Sequence, residues 1–204
     1  MKRCILSKAG DRSLTPAQLR AVFELRHEVF VEKLRWDVES VDGLERDEYD
    51  ELDPHYLVMV DDFEVVGCAR LLPTSGPNML AEVFRPLLRG EPVPDSGGIW
   101  ELSRFAVRSL RRRYTRTATL AEDTLSMFRS MVRFAETRGM SEYVAVVSTA
   151  YERLLRRNGI PLERFGDGGT TWLGAIETVA CHIPIDARMH RAIGTAPARE
   201  AATA

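Results

Sequence analysis

The sequence predicts an α/β (α+β) protein, one mixed β-sheet flanked by helices. Three observations carry that reading. Helical and strand patterns follow one another as helix, strand pair, helix, strand, helix, strand, helix, strand, an order that puts helices on the faces of a sheet. The 204 residues suffice for one domain with a sizeable core. Hydrophobic residues make up 45% and charged residues 28%, an ordinary balance for a soluble globular chain, and no internal repeat or linker divides it. A single domain is expected over 1–190, with 191–204 a small, polar, flexible tail.

Each element has its own signal. "TPAQLRAVFELRHEVFVEKL" (15–34) opens with a Thr cap and a Pro at the first helical position, and Leu19, Val22, Phe23, Leu25, Val29 and Phe30 keep helical spacing. The acidic "RWDVESVDGLERDEYDELDP" that follows is too polar to pack as a regular element, and loops of that length are usually functional or disordered. "HYLVMV" and "VVGCARLLP" form a hairpin about Asp61-Asp62. "NMLAEVFRPLL" is a short helix and "IWELSRFAV" (99–107) a strand. "TATLAEDTLSMFRSMVRFAETRG" is a helix that stops at Gly139. "EYVAVVS" is a strand, "AYERLLRRNGI" a helix, and "TWLGAIETVACHI" a last strand or hairpin. Ligands in such sheets sit where strands diverge at their carboxyl ends. The strands over 99–107 and 142–148, joined by a right-handed helical crossover, are the expected walls of that cleft.

Composition excludes several classes. Cys4, Cys68 and Cys181 are odd in number and far apart, which supports neither a disulfide framework nor a zinc site. They read as reduced thiols in a cytoplasmic protein. No apolar run reaches 18 residues, and "MKRCILSKAGDR" is too short in its apolar part for a signal peptide. The net charge of −2 hides an asymmetry, with acids crowded at 37–64 and bases at 104–116 and 129–164. That pattern suits a local anionic partner rather than nucleic acid at large.

The strand over 99–107 contains a puzzle. It carries Glu101 and Arg104 among apolar residues, although charged side chains are seldom buried unless paired. Strand alternation sends residues three apart to opposite faces.

"LRHEVFVEKLRWDV", "ERDEYD", "GCARLLPT", "MLAEVF" and "WELSRFAV" resemble, in order and spacing, the acyl-homoserine-lactone synthases, the LuxI-type autoinducer synthases. The positions that carry the resemblance are Arg26, Phe30, Trp36, Asp47, Asp50, Arg70, Phe84, Glu101 and Arg104. The motifs span roughly residues 20–107, and a weaker collinear match runs to about residue 186. The resemblance implies a GCN5-related N-acyltransferase-like mixed sheet with a V-shaped cleft between its central strands. It also implies a β-bulge in the cleft strand, and a bulge between Glu101 and Arg104 would bring both charges to one side.

The implied reaction has two steps. The amine of S-adenosylmethionine, a substrate rather than a cofactor, attacks an acyl thioester. The substrate carboxylate then displaces methylthioadenosine from the γ-carbon and closes a lactone, a step that orientation favours by effective molarities of about 10⁵ M or more. Glu101 is then the candidate base, acting through a water, or else it only orients Arg104 or Arg70. Arg104 holds the substrate carboxylate or serves structural pairing. Phe30 and Trp36 offer aromatic faces to a sulfonium, Phe30 being equally a core residue by its spacing. Asp47 and Asp50 would bind the ammonium, and Arg26, Arg70, Met79, Phe84 and Phe105 would complete the S-adenosylmethionine site. Ser103 and Ser148 have hydroxyls for the thioester carbonyl, whereas no relay supports a covalent acyl-enzyme.

Met131, Ala145 and Val147, with Ser148 beside them, match the acyl pocket of the family. Ala145 stands where a threonine would bond a 3-oxo group, which favours an unsubstituted, medium-length chain. Arg111, Arg112 and Arg113 occupy the loop where N-acetyltransferases place a glycine-rich pyrophosphate cradle, and the lack of glycine argues against a standard coenzyme A site. An acidic acyl carrier protein docking on Arg108, Arg111, Arg112, Arg113, Arg153, Arg156 and Arg157 suits the charge better, with acyl-coenzyme A the other donor. Two further readings stand beside this one: an N-acyltransferase of the same fold with another amine acceptor, and a non-enzymatic module that binds acyl carrier protein. No metal, nucleic acid or membrane span is expected.

Overall fold

The computed structural model describes residues 2–108 and 120–197. An eight-stranded mixed sheet is built from β1 (Lys2–Lys8), β4 (His55–Asp61), β5 (Glu64–Pro73), β6 (Ile99–Val107), β7 (Glu142–Ser148), β8 (Glu163–Arg164), β9 (Thr171–Leu173) and β10 (Ile176–Pro184). The order across it is β1-β4-β5-β6-β7-β10-β8, with β9 on β10. Every pairing is antiparallel except β6–β7, which is parallel. Helix α1 (Pro16–Arg26) packs on one face. Helices α3 (Glu122–Thr137), α4 (Thr149–Arg157) and α5 (Ala187–Ile193) close the main core.

The first helix is shorter than its periodicity predicts. Thr15 and Gln18 form a capping box at its start. After Arg26 the chain widens into a π-helix over His27–Lys33, a form found mostly as short insertions at functional sites. The acidic segment has more order than its polarity suggests. β2 (Ser40–Val41) and β3 (Leu44–Glu45) form a hairpin about Asp42 and Gly43, both at positive φ, as a type I′ turn requires. A 3-10 turn, Glu48–Glu51, follows and is capped by Asp47. The predicted helix over 78–88 is broken into α2 (Met79–Glu82) and a 3-10 turn, Arg85–Leu88, where Pro86 interrupts it.

Two elements escaped the sequence reading. β1 is an edge strand with basic residues at both ends, and α5 runs into the segment expected to be tail. Asp186 caps α5, Gly194 ends it at φ 69°, and Ile193 is buried in the core, so residues 191–193 belong to the fold.

The cleft forms because β6 and β7 pair only at Ile99–Glu142, Trp100–Tyr143 and Glu101–Val144. Beyond Glu101 the two strands separate. The bulge lies just past that point. Arg70 pairs with Ser103 and Cys68 with Ala106, so Ala69 faces two residues, Arg104 and Phe105. Arg104 takes the left-handed conformation, φ 54°, which is costly for a residue with a Cβ. Trp100 and Leu102 pack in the main core before the bulge, Phe105 and Val107 after it. The intervening shift puts Glu101, Ser103 and Arg104 on the opposite face, and the puzzle of two charges three apart is resolved.

Candidate active site

The opposite face of β5 and β6 carries a buried network of three guanidinium groups and three carboxylates. Arg26 donates Nε to Glu45 at 2.5 Å and Nη1 to Asp50 at 2.8 Å. Arg70 binds Asp47 with two nitrogens and lies 3.1 Å from Asp50. Arg104 donates to Glu45 at 3.0 Å and to Asp47 at 2.9 Å. Arg26, Arg70 and Arg104 are each under a tenth exposed. Charges so buried persist only when paired and hydrogen-bonded, and the hairpin and capped turn of the acidic segment supply the partners.

The groups differ in what they can reach. Asp50 is sealed, and the Tyr56 hydroxyl and the Asp47 backbone N–H also donate to it. Burial opposes its ionisation, but Arg26 and Arg70 hold it well below the usual carboxylate range. Such an aspartate is a strut, closed to a substrate ammonium. Asp47 retains some exposure and faces a cavity of about 250 Å³ that Glu45, Tyr49, Met79, Arg104 and Val38 also line. Glu45 was missed in the sequence because nothing in an acid-rich run marks which carboxylate turns inward. Burial opposes its ionisation, but Arg26 and Arg104 hold its pKa below the ordinary carboxylate value.

Glu101 stands apart from the arginines. It accepts the backbone N–H of Leu80 at 2.6 Å and that of Met79 at 3.3 Å, and it makes no ion pair among the described residues. Burial raises its pKa above the ordinary value, against the lowering effect of the two N–H groups and of Arg70 and Arg104. It therefore orients neither arginine. Ser103 accepts Arg70 Nε at 3.1 Å.

Arg70 and Arg104 also converge on Met79, whose thioether lies 3.1 Å from one guanidinium and 3.6 Å from the other. Phe84 backs Met79, alongside Tyr49 and Leu72. Phe30 is buried, its ring 5.6 Å from Arg104 Cζ and 5.0 Å from the Trp36 ring. Trp36 Nε1 and Arg26 Nη2 are buried donors without a hydrogen-bond partner.

Phe105, grouped with these residues from the sequence, lies across the sheet. The bulge turns it toward α3 and α4, with its ring 5.5 Å from Phe128 and 6.4 Å from Tyr151. Met131, Ala145 and Val147 belong to the same apolar cluster. Ser148 caps α4 by accepting the Tyr151 backbone N–H at 3.1 Å. A charged cavity and an apolar cluster thus lie on opposite faces of the two strands that part beyond Glu101. Cys68 bonds the carbonyl of Arg104 behind the bulge, its thiol pushed up to about 12 by burial, which does not suit a nucleophile.

The basic face is divided. Arg153 and Arg157 are exposed on α4 and form no ion pair among the described residues. Arg156 shares the buried Glu152 with Arg164, and Arg108 is paired with Glu28. Arg111, Arg112 and Arg113 lie outside the described residues.

A family model described as autoinducer synthase matches residues 11–193. An acyl-homoserine-lactone synthase of Ralstonia nicotianae is 42% identical over 188 residues, 91% of each chain. The crystal structure of the synthase LasI superposes with a TM-score of 0.86 at 31% identity, covering 98% of both chains. A coenzyme A-dependent synthase, BjaI, solved with S-adenosylmethionine and isopentyl-coenzyme A, gives a TM-score of 0.82 at 28% identity over 97% of this chain and 92% of that one. At the level of fold alone, a Lactobacillus plantarum protein assigned as an N-acetyltransferase gives a TM-score of 0.57 at 15% identity, over 90% of this chain and 98% of that one.

Proposed function

The chain belongs to the autoinducer synthase family of acyl-homoserine-lactone synthases, and from that premise we propose that it joins S-adenosylmethionine to an acyl group carried as a thioester on an acyl carrier protein. The observation that carries this reading is the position of Glu101, a buried carboxylate with no ion pair among the described residues, at the last pair before β6 and β7 part and bonded to the backbone of Met79, which lines the charged cavity. The amine would approach from the charged side and the thioester from the split, with the Ser103 hydroxyl directed at its carbonyl. As the C–N bond forms and the thiol leaves, the amine proton passes to Glu101 through a water. Burial makes Glu101 a stronger base than an exposed carboxylate.

Arg104 receives the substrate carboxylate at Nη1, which now meets the Met79 thioether, a weak acceptor that a carboxylate displaces with gain, and Arg70 Nη2, shared between Asp47 and the same sulfur, lies beside it. Asp47 takes the ammonium, and Trp36 with Phe30 faces the sulfonium. Held in that fold, the carboxylate attacks the γ-carbon, methylthioadenosine leaves, and the lactone closes. The acyl chain runs beside Phe105, Met131, Ala145 and Val147, and the methyl of Ala145 favours an unsubstituted, medium-length chain. Arg153 and Arg157, exposed and in no ion pair among the described residues, support an acidic carrier protein as donor.

The test is turnover of S-adenosylmethionine with paired acyl-carrier-protein and acyl-coenzyme A thioesters, following methylthioadenosine and free thiol together. Equal release of both products, faster with the carrier protein, is expected. Thiol without methylthioadenosine would mean plain N-acylation of another amine, and a faster coenzyme A reaction would overturn the proposed donor.

A further inference from the structure

A second cavity, of about 430 Å³, lies between β1, the start of β4 and the C-terminal half of α3. It sits on the α3 side of the sheet, away from the charged network, and neither proposed chamber uses it. Its volume falls within the range of about 300–1,000 Å³ usual for small-molecule sites. The floor is apolar, made by the half-exposed Cys4, Leu6 and Phe134. The rim carries Arg133, on α3, and Arg138, the residue that caps the C-terminus of α3.

Arg138 is held in place before any ligand arrives. Its guanidinium lies 4.7 Å from the centroid of Phe134 and 5.5 Å from that of Trp100. Its Nη2 donates to His55 Nε2 at 3.1 Å. A guanidinium can only donate, so Nε2 is the acceptor. Burial and the adjacent Arg138 lower His55 to about 4, which keeps the ring neutral at physiological pH. Neither Arg133 nor Arg138 forms an ion pair among the described residues, whereas Arg129, one turn earlier, is paired with Glu122. The one carboxylate lining the cavity, Asp11, already accepts the Lys8 backbone N–H and the Ser7 hydroxyl, each at 3.1 Å.

We propose that this cavity is a second ligand site, which takes a small amphipathic anion whose carboxylate or phosphate head lies on Arg133 and Arg138 and whose apolar body lies on Leu6, Cys4 and Phe134. A planar guanidinium anchored on aromatic rings has already lost much of its rotamer freedom, and it presents a fork that fits an oxyanion.

Isothermal titration calorimetry on the full chain tests this, with octanoate and octyl phosphate as probes, octanol as the uncharged body and inorganic phosphate as the bare head. Either anionic probe should bind saturably and at least tenfold more tightly than octanol or inorganic phosphate, and whichever is tighter identifies the head group. Arg133→Glu, a change at an exposed helix position, should weaken that binding at least tenfold while leaving turnover of S-adenosylmethionine unchanged. Binding that is absent, equal to that of octanol, or indifferent to Arg133→Glu would overturn the site, the last result placing the probe in the acyl chamber.

Discussion

Leu80 donates its backbone N–H to Glu101 at 2.6 Å, so the first residues of α2, and no arginine among the described residues, hold the carboxylate at the last pair before β6 and β7 part. Its raised pKa has a consequence for stability. A carboxyl with a raised folded pKa stabilises the protein while protonated, below its ordinary pKa of about 4.3, and loses that contribution as pH rises through the folded value. At neutral pH the ionised Glu101 is therefore a burden on the fold.

Glu101→Gln removes that charge and keeps an oxygen for the Leu80 N–H. Its Tm at pH 7 should equal or exceed that of the parent while kcat falls by about 10²-fold or more, the usual contribution of a general base. In the parent, kcat/KM should fall toward acid as Glu101 is protonated. A variant that keeps the parent's rate, or an acid limb unchanged by the substitution, would remove Glu101 from the proton path.

Glu45 behaves oppositely. It is fully buried and takes donors from both Arg26 and Arg104, so Glu45→Gln leaves two guanidinium groups short of an anion. Breaking a buried pair in this way costs about 3–5 kcal/mol. Urea titration should show a lower midpoint with an unchanged slope. A midpoint near the parent's would mean that water replaces the carboxylate and that the network is wetter than its burial indicates.

These two glutamates mark how far the sequence could be read. The sheet, the order of its central strands and the cleft were legible because long apolar runs and a capped amphipathic helix impose period and boundary. Glu101 and Arg104 stood out as charges within an apolar strand, and Arg70 through the resemblance to the synthases. Glu45 did not, because its burial depends on the Asp42-Gly43 turn folding an acidic stretch back over α1. Phe105 lies on the apolar face because one left-handed residue, Arg104, inverts the alternation; the resemblance implied a bulge in this strand, but residue types alone do not place it to the residue. β1 and α5, seven residues each with basic side chains among the apolar ones, were too short to show a period.

Acid should unfold the site before the rest of the core weakens. Asp50 and Glu45 both have depressed pKa values. A depressed carboxylate contributes stability that is complete above its ordinary pKa of about 4 and is lost as pH falls through the folded value. Tm should therefore decline as pH drops below about 5. Asp50→Asn should start from a lower Tm and show a shallower decline. Parallel curves for the two proteins would show that other carboxylates govern the acid transition.

The placement of Phe105 makes a claim about which substrate it meets. Its ring packs with Phe128 and Tyr151 on the apolar side, while Arg104, one residue earlier, points into the charged chamber. Phe105→Leu shortens an apolar wall without adding charge or forcing the backbone. Loss of a few apolar atoms from such a wall changes discrimination by about tenfold. The KM for the acyl thioester should rise by roughly that factor, most for the longest chain accepted, while the KM for S-adenosylmethionine stays within about twofold. Met79→Leu, on the other face, should reverse the pattern, since removing the thioether changes what Arg70 and Arg104 meet and leaves the acyl wall intact. Parallel shifts in both KM values for either variant would mean that the two chambers are one cavity, and the bulge would then serve only to pack the strand.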